Sequence, residues 1–341
     1  MKIDLTKKKT LIIAEVGLAH NGNLKTAFRF VKSAKKAGAD IIKFQTHYAE
    51  FESTYDEPFR VAISKKYKNR YDYWKSTEFK KNEWEKIIKF CKKNKIIFAT
   101  SPFSREAVRI MRSINCRNWK IGSGEILSNE LLNEILKKKN DTIIISSGLS
   151  SWSEINNSYK YLNSKNAKFA ILQCTTEYPS NIKKVGLNII EKMKKTFNCP
   201  VGLSDHTGSI FPSIAALSLG AKIIEVHVCL SKKAEGPDIT SSLTFDELEM
   251  ICKARDSISI MKENDVNKNK LSSIQKKNRI IFSKSLALKK DLKIGEFIKK
   301  SNITLKKPGT GLSQKFERFV INKKAIKNLS SKKILRRSDF E

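Results

Sequence analysis

The sequence predicts an α/β protein in which a (β/α)8 barrel, a TIM barrel, is followed by a small C-terminal domain. Short apolar runs rich in Ile and Val alternate eight times with longer amphipathic stretches over about 260 residues. Polar or ionisable residues stand at the end of nearly every apolar run. A doubly wound open sheet is the main alternative, but it does not predict polar residues at so many successive strand ends. In a barrel those ends meet at one mouth.

The predicted strands are continuous apolar runs, as expected when both faces of a parallel sheet are buried. They lie at 11–14, 41–44, 96–99, 119–121, 142–145, 169–172, 201–203 and 222–226. Amphipathic stretches that predict helices follow at 24–37, 82–94, 104–114, 128–139, 151–164, 186–197, 210–219 and 244–262.

The residues at the strand ends can bind substrates or transfer protons. They are Glu15, Lys43, Gln45, Thr100, Ser101, Lys120, Ser123, Glu125, Ser146, Ser147, Gln173, Thr175, Ser204, Asp205, His206 and His227. Enzymes with this fold place their chemistry at the C-terminal ends of the strands, so we expect a catalytic mouth here. Ordinary capping and turn chemistry is the alternative.

Three further segments complete the organisation of the chain. Segment 46–81 is long and rich in Tyr and Trp, which fits either a functional loop at the mouth or a surface excursion packed by its own aromatic residues. Residues 1–262 are assigned to the barrel, the polar stretch 263–283 to a linker, and 284–341 to the small domain. That domain is predicted to hold two short strands around Gly295 and to dock on the barrel or on a partner chain.

Charge and cysteine content restrict the class of protein. The net charge of +33 suits solvated lysine faces, an anionic substrate or, as the weakest interpretation, nucleic acid. The six cysteines show no CxxC pair, which is typical of reduced interior residues. The sequence shows no signal peptide and no apolar run long enough to span a bilayer, so we expect a cytoplasmic protein without membrane or nucleic-acid partners.

Two histidines at neighbouring strand ends predict a metal site. His206 and His227 follow the seventh and eighth strands, which are adjacent in a barrel. Two imidazoles completed by water and substrate oxygens suit an octahedral divalent ion such as manganese better than structural zinc. A structural role for each histidine is the alternative.

Lys43 and Lys120 end the second and fourth strands and are expected to face the same mouth. With the serines at the strand ends they form a cationic, hydroxyl-lined cup suited to a phosphate and a carboxylate. One of these lysines could instead form a Schiff base, and spacing alone does not decide between the two roles. Glu15, Glu125 and Asp238 are candidate acids, bases or hydroxyl-binding groups.

Several stretches carry a family resemblance in consistent order along nearly the whole chain. They are IIAEVGLAHNG (12–22), AGADIIKFQT (37–46), SPFS (101–104), KIGSGE (120–125), ISSG (145–148), LQCTTEYPS (172–180), GLSDHTG (202–208), EVH (225–227), GPD (236–238) and KKPGTGLS (306–313). Together they resemble the sialic acid synthase family, the bacterial enzymes that make N-acetylneuraminate and related nonulosonic acids. The last stretch is similar to the signature loop of that family's antifreeze-like (SAF, β-clip) domain.

The resemblance implies condensation of phosphoenolpyruvate with the open-chain aldehyde of an acetamido sugar such as N-acetylmannosamine, with release of phosphate. It implies manganese, with magnesium or cobalt as alternatives, on His206 and His227. It also implies a domain-swapped homodimer. The implied catalytic residues are Glu15, Lys120 and Glu125. The implied substrate-binding residues are Lys43, Gln45, Ser101, Ser123, Ser146, Thr176, Tyr178, Ser204, Asp238 and Lys307.

The chain departs from the family pattern at three places. Ala19 stands where members often have Asn, Glu225–Val228 reads EVHV instead of EKHF, and Lys307 replaces an Arg that contacts the sugar's N-acetyl group from a neighbouring subunit. Lysine cannot repeat the planar contact of arginine, so a sugar other than N-acetylmannosamine remains open. The alternatives within enzymes are another carbonyl lyase or an enzyme that condenses phosphoenolpyruvate with a sugar phosphate, for which Lys65, Lys66, Lys68 and Arg70 could supply extra cations. The alternative of another class is a non-catalytic basic barrel that binds a polyanion or a glycan.

Overall fold

A computed structural model of the chain describes residues 1–60 and 67–341. The chain divides into two compact units, Met1–Asn264 and Asp265–Glu341. The predicted barrel domain ended at residue 262, next to this division, and the predicted linker contains a helix described below.

In the described part of the first unit, eight parallel strands close into a barrel in sequence order, which confirms the predicted TIM barrel. The strands are β1 (Leu11–Glu15), β2 (Ile41–Thr46), β3 (Ile97–Pro102), β4 (Asn118–Ile121), β5 (Thr142–Ser146), β6 (Lys168–Cys174), β7 (Val201–Asp205) and β8 (Ile223–His227). The barrel closes where β1 pairs with β8, and Glu15 lies opposite His227 in that pair.

Most strands extend farther at the mouth than the apolar runs predicted. For example, β3 was expected to end at Ala99 and ends at Pro102, because its ladder with β2 continues through Gln45 opposite Ser101. Many of the polar residues expected to follow the strands are therefore the last residues of the strands themselves. Their side chains are held by a rigid ladder instead of by loops.

Successive residues of a strand point to opposite faces, so the strands contribute to two hydrophobic cores, one inside the barrel and one between the barrel and the helices. In β1, Leu11 and Ile13 belong to the core inside the barrel, whereas Ile12 and Ala14 pack against the surrounding helices. The inward row of β1 ends in Glu15, which is buried. The same alternation on the other strands places a polar residue above an apolar barrel interior, and these residues form the mouth.

Helices surround the barrel. They are α1 (Leu24–Lys36), α2 (Ala49–Glu52), α3 (Arg70–Thr77), α4 (Lys81–Lys93), α5 (Arg105–Ser113), α6 (Asn129–Leu136), α7 (Trp152–Ser164), α8 (Leu187–Thr196), α9 (Phe211–Ser218) and α10 (Phe245–Glu263), with 3-10 turns at Ile182–Lys184 and Ile239–Ser241. Several begin at the capping residues that the sequence offers. Asn23, Ser104, Ser151 and Thr244 each accept a hydrogen bond from a backbone N–H in the first turn.

Segment 46–81 carries α2 and α3 and combines both of its expected features. Tyr73 and Trp74 of α3 are buried in a small cluster with Leu18 and Ala49. Trp74 also lines the cavity at the barrel mouth. The aromatic residues of this segment therefore pack against each other and also form one wall of the site.

The second unit contains α11 (Ser273–Phe282), β9 (Ser285–Leu288), β10 (Ile303–Lys306) and α12 (Glu317–Val320), with 3-10 turns at Lys300–Asn302, Gln314–Phe316 and Arg337–Asp339. Here β9 and β10 form an antiparallel pair. The expectation of two strands around Gly295 was wrong for the second strand. Instead, Phe297 forms an isolated bridge to Lys324. The strand that pairs with β9 is β10, which comes later in the chain, after residues 289–302.

Across residues 1–60 and 67–341, none of the helices combines the length and the apolar character needed to cross a lipid bilayer.

Candidate active site

The mouth of the barrel holds a cavity of about 380 Å³, a volume within the range of small-molecule sites. It is lined by the following residues selected from the sequence: Glu15, Lys43, Gln45, Ser101, Lys120, Ser123, Glu125, Ser146, Thr176, Tyr178, Ser204, His206, His227 and Asp238. The remaining one, Lys307, belongs to the second unit, where its Nζ lies 5.3 Å from the centre of the Phe282 ring. The other polar strand-end residues, Thr100, Ser147, Gln173, Thr175 and Asp205, are not among the lining residues.

One side of the cavity carries two buried lysines. Lys43 Nζ donates a hydrogen bond to Ser101 Oγ (2.9 Å), and Lys120 Nζ donates one to Ser146 Oγ (2.5 Å). Burial, together with the charge of Lys43, lowers the pKa of Lys120. Burial opposes ionisation of Lys43 as well, but nearby carboxylates outweigh it and raise its pKa. The two ammonium groups and the two hydroxyls form a cationic, hydrogen-bonding wall.

Glu225 on β8 connects the two lysines, and the sequence analysis did not select it as a site residue. Its Oε1 lies 3.4 Å from Lys120 Nζ and 3.8 Å from Lys43 Nζ, and it accepts a hydrogen bond from Ser204 Oγ (3.1 Å). Burial would raise the pKa of Glu225, but the two lysines lower it. A signal was present in the sequence, since residues 225 and 227 are two apart on one strand and therefore share a face.

Glu15 contacts the same cluster from β1. Its Oε2 lies 3.0 Å from Lys43 Nζ, and its Oε1 accepts a hydrogen bond from Gln45 Nε2 (3.0 Å). Burial and the neighbouring Glu225 raise the pKa of Glu15, while Lys43 opposes this shift. Lys43 and Gln45 therefore stabilise the ionised form of Glu15 against the effect of burial.

Ser123, Thr176 and Gly148 form a tight corner of the cavity. Ser123 Oγ accepts a hydrogen bond from the Gly148 N–H (3.0 Å). A Cβ at Gly148 would lie 2.1 Å from Thr176 Oγ1 and 2.7 Å from Ser123 Oγ, so this close approach requires glycine. Thr176 Oγ1 is buried without a hydrogen-bond partner in the described chain and is available to a ligand.

The same cavity is lined by the two histidines, whose ring centres are 5.3 Å apart. His206 Nδ1 lies 2.9 Å from the Thr175 carbonyl oxygen, and His227 Nδ1 lies 3.8 Å from Asp238 Oδ2. Burial lowers the pKa of His227 to about 4. Burial opposes protonation of His206 too, but the Cys174 sulfur and the Thr175 carbonyl raise its pKa.

Tyr178 and Arg60 cover the histidine side. The guanidinium carbon of Arg60 lies 4.0 Å from the centre of the Tyr178 ring, and Arg60 Nη2 donates to Asp238 Oδ1 (2.6 Å). Burial raises the pKa of Tyr178, so its hydroxyl keeps its proton. Arg60 was not selected from the sequence because it lies in a loop with no neighbouring motif.

Two further carboxylates line the cavity near segment 46–81. Burial, with the nearby Glu52, raises the pKa of Glu125, which favours its protonated form. Glu52 itself pairs with His47, and both were missed by the sequence analysis. Of the extra cations proposed for a sugar phosphate, Lys65 and Lys66 lie outside the described residues, and Lys68 is exposed. Arg70 lines the cavity and pairs with Glu57 (3.1 Å).

Comparison with known proteins identifies the family of the chain. The NeuB family model matches residues 30–267. The chain is 35% identical over 336 residues to the N,N'-diacetyllegionaminic acid synthase of Campylobacter jejuni subsp. jejuni serotype O:2, covering 96% of this chain and 99% of that protein. It is 32% identical over 341 residues to the pseudaminic acid synthase of the same organism, covering 98% of each.

A solved structure is also similar. The N-acetylneuraminic acid synthetase of Leptospira borgpetersenii serovar Hardjo-bovis, in complex with citrate, superposes with a TM-score of 0.69 at 27% identity, covering 82% of this chain and 95% of that one. Two synthases align along nearly their whole length, and the family model covers most of the barrel. The chain therefore belongs to the NeuB family, the family of sialic acid synthases, whose members are enzymes that condense phosphoenolpyruvate with a sugar.

Proposed function

We propose that this chain condenses phosphoenolpyruvate with the open-chain aldehyde of an acetamido sugar, in a metal-dependent reaction that releases phosphate. The observation that carries the proposal is that two lysines and two histidines line one cavity. Lys43 and Lys120 form its lysine side, and His206 and His227 form its histidine side. Such a combination suits a trianionic substrate next to a carbonyl that must be polarised.

The lysine side is proposed to hold phosphoenolpyruvate. Lys43, Ser101, Lys120, Ser123, Ser146 and Ser204 would bind its phosphate and carboxylate. The two ammonium groups are hydrogen-bonded to serine hydroxyls, so their positions are set before the substrate arrives. A Schiff base is disfavoured, since both lysines are engaged in ion pairs and phosphoenolpyruvate is already an activated enol.

The two histidines fit a divalent metal. Each directs Nδ1 toward an oxygen, the Thr175 carbonyl or Asp238, which leaves Nε2 as the ligand atom. Within the described residues no group of three His, Cys, Asp or Glu side chains is arranged as a complete metal site, so water and substrate oxygens would complete the coordination. Manganese is the proposed ion, and when bound it would supply Lewis-acid polarisation of the aldehyde oxygen.

The reaction forms one carbon–carbon bond and one carbon–oxygen bond to water, and it breaks the bond between carbon 2 and the phosphate oxygen. Carbon 3 of phosphoenolpyruvate attacks the aldehyde carbon, whose oxygen gains a proton, and water adds at carbon 2. The resulting tetrahedral intermediate loses phosphate as its carbonyl forms. We assign Glu125 to proton donation, because its raised pKa favours a protonated carboxyl, and Glu15 to accepting a proton from water. Lys120 would stabilise the charge that develops on the departing phosphate.

The sugar is proposed to carry two acetamido groups. One Campylobacter relative is named for a diacetyl product, N,N'-diacetyllegionaminic acid, the other is named for pseudaminic acid, and both align over nearly the whole chain. Gln45, Thr176, Tyr178 and Asp238 would contact the sugar from the barrel. Lys307 stands where the family arginine reads the N-acetyl group, which supports a sugar other than N-acetylmannosamine.

A phosphorylated sugar is less well supported. Arg60 and Arg70 line the cavity, but Arg60 is paired with Asp238 and Arg70 with Glu57. Both arginine charges are thus already compensated, and a sugar phosphate would have to break those pairs.

We also propose a homodimer, in which the second unit acts as an antifreeze-like domain toward a second copy of the chain. The support is α11, none of whose residues is buried, although Ile274, Ile281 and Phe282 are large and apolar. Light scattering of the purified protein tests this, and a monomer at micromolar concentration would contradict it.

The test of the proposed reaction is phosphate release from phosphoenolpyruvate with manganese and one sugar at a time. The sugars are N-acetylmannosamine, its 6-phosphate, and 2,4-diacetamido-2,4,6-trideoxy sugars, each with an EDTA control. We expect metal-dependent release with a diacetamido sugar. Release with the 6-phosphate alone would favour the alternative, and no release with any sugar would contradict the proposed reaction.

A further inference from the structure

His47 lies in the cavity wall and takes no part in the function proposed above. It follows β2 directly, is buried, and has its ring between two aromatic rings. The Trp74 ring is 4.3 Å away on one face, at an interplanar angle of 5°. The Phe103 ring is 4.3 Å away on the other face, at 11°. This stack fixes the plane of the imidazole, so its polar interactions are made by the two ring nitrogens at its edge.

Both ring nitrogens of His47 face oxygen atoms. Nδ1 lies 2.5 Å from Glu52 Oε1, and Nε2 lies 3.1 Å from Gln45 Oε1. An amide oxygen is an acceptor, so in this arrangement Nε2 is the donor toward Gln45. The ring thus faces the oxygen end of the Gln45 amide, and its hydrogen bond to Glu52 holds it in that position.

The orientation of the Gln45 amide decides whether its NH2 group or its oxygen faces the Glu15 carboxylate. With its oxygen toward His47, Gln45 presents its NH2 group to Glu15 Oε1 at 3.0 Å, while Lys43 approaches the other carboxylate oxygen. A rotated amide would place its oxygen against the Glu15 carboxylate, which is an acceptor as well. Two neighbours therefore favour the same orientation: Glu15 accepts from the NH2 group, and His47 is the partner of the amide oxygen among the described residues.

We propose that His47 is a positioning residue that acts through Gln45. Held between Trp74 and Phe103 and hydrogen-bonded to Glu52, it fixes the Gln45 amide so that its NH2 group faces Glu15 and the cavity. The second N–H of that group is then aimed at an oxygen of the bound sugar. This last step rests on the proposed function, whereas the orientation of the amide does not.

The orientation can be measured without any substrate. The chain has four glutamines, Gln45, Gln173, Gln275 and Gln314, so selective ¹⁵N labelling of glutamine side chains gives four NH2 signal pairs. Loss of one pair in Gln45→Ala assigns it. The test variant is His47→Phe, which keeps the aromatic stack and removes both ring nitrogens. We expect hydrogen exchange of the Gln45 NH2 group to become about tenfold faster or more, as expected for one lost buried hydrogen bond.

Two controls accompany this measurement. Gln173, which donates to the carbonyls of Cys174 and Val185, is an internal reference in the same spectrum. His20→Phe applies the same substitution to another buried histidine stacked on a phenylalanine, Phe79, outside the cavity. Neither the Gln173 signal nor the His20 variant should show faster exchange at Gln45. An unchanged Gln45 signal in folded His47→Phe would overturn the proposal.

If His47→Phe does not fold, Glu52→Gln provides the same test. This substitution replaces the carboxylate that faces His47 Nδ1 by a neutral amide, which weakens the hydrogen bond that holds the ring toward Gln45. Faster exchange of the Gln45 NH2 group is again expected, and wild-type exchange would contradict the role assigned to His47.

Kinetics then test the functional consequence by a double-mutant cycle. We expect His47→Phe to raise KM for the sugar about tenfold and to change KM for phosphoenolpyruvate less than about twofold. His47→Gln, whose amide nitrogen replaces Nε2, should recover most of the loss. Because His47 acts through Gln45, adding His47→Phe to Gln45→Ala should cause little further loss. Additive effects would overturn this pathway. A wild-type enzyme inactive with every sugar would refute the proposed function, and the exchange measurement would still decide the role of His47.

Discussion

Glu225 offers the sharpest test of how the lysine side of the cavity is held together. Its carboxylate lies 3.4 Å from Lys120 Nζ and 3.8 Å from Lys43 Nζ, and its side chain is 5% exposed. At an effective dielectric constant of about 20, these distances correspond to attractions of about 5 and about 4 kcal/mol. Desolvation cancels much of this gain, but removing one partner leaves the other charge buried and uncompensated.

Glu225→Gln keeps the shape of the side chain and removes its charge. Two buried lysines would then share one carboxylate, Glu15. We expect the free energy of unfolding to fall by about 3 kcal/mol, and the melting temperature to fall by about 6 to 12 °C. Because the cluster gains a net positive charge, the anionic substrate phosphoenolpyruvate should stabilise this variant more than the wild type.

The assay is differential scanning fluorimetry with and without phosphoenolpyruvate, and the chain offers a matched control. Glu134 is also a carboxylate with a 5% exposed side chain among cations, 2.7 Å from Lys137 and 3.4 Å from Arg109, but it lies outside the cavity. Glu134→Gln should lower the melting temperature without changing the effect of phosphoenolpyruvate. A Glu225→Gln variant as stable as the wild type would refute the reasoning, because the carboxylate would not be compensating the lysines.

Three further predictions concern the metal, the pH dependence and the sugar. His206→Ala and His227→Ala should each abolish metal-stimulated phosphate release and lower the amount of manganese bound by the protein, and both quantities are measured. Full activity of either variant at trace metal would contradict the assignment of the two histidines as metal ligands. Because burial and Lys43 lower the pKa of Lys120, the ammonium is lost at a lower pH than for an ordinary lysine. KM for phosphoenolpyruvate should therefore rise with pH below the ordinary lysine pKa, and Lys120→Arg, which stays charged, should remove that rise; parallel pH profiles would refute this cause. Lys307→Arg should increase kcat/KM for N-acetylmannosamine relative to a diacetamido sugar about tenfold, and an unchanged ratio would show that Lys307 does not read the acetamido group.

The barrel and most of the cavity wall could be predicted from the sequence because both follow from local patterns. The eight apolar runs fix the strands, and the two-residue period decides which residues face inward. The position of the second strand of the small unit was predicted wrongly because it does not follow from a local pattern. Its pairing joins segments separated by a long turn, and local patterning does not specify such a partner.

The barrel, the family and the side chains at the mouth could be predicted without coordinates, since they depend on residue types, apolar runs and motifs that are local in the chain. Which of these side chains meet is visible only in the folded protein. Glu225 contacts lysines from β2 and β4, and the His47 ring is placed between residues from α3 and the loop after β3. Such contacts depend on barrel closure and strand register, which bring residues distant in sequence within hydrogen-bonding distance. Those long-range contacts set the charges and orientations on which the chemistry depends.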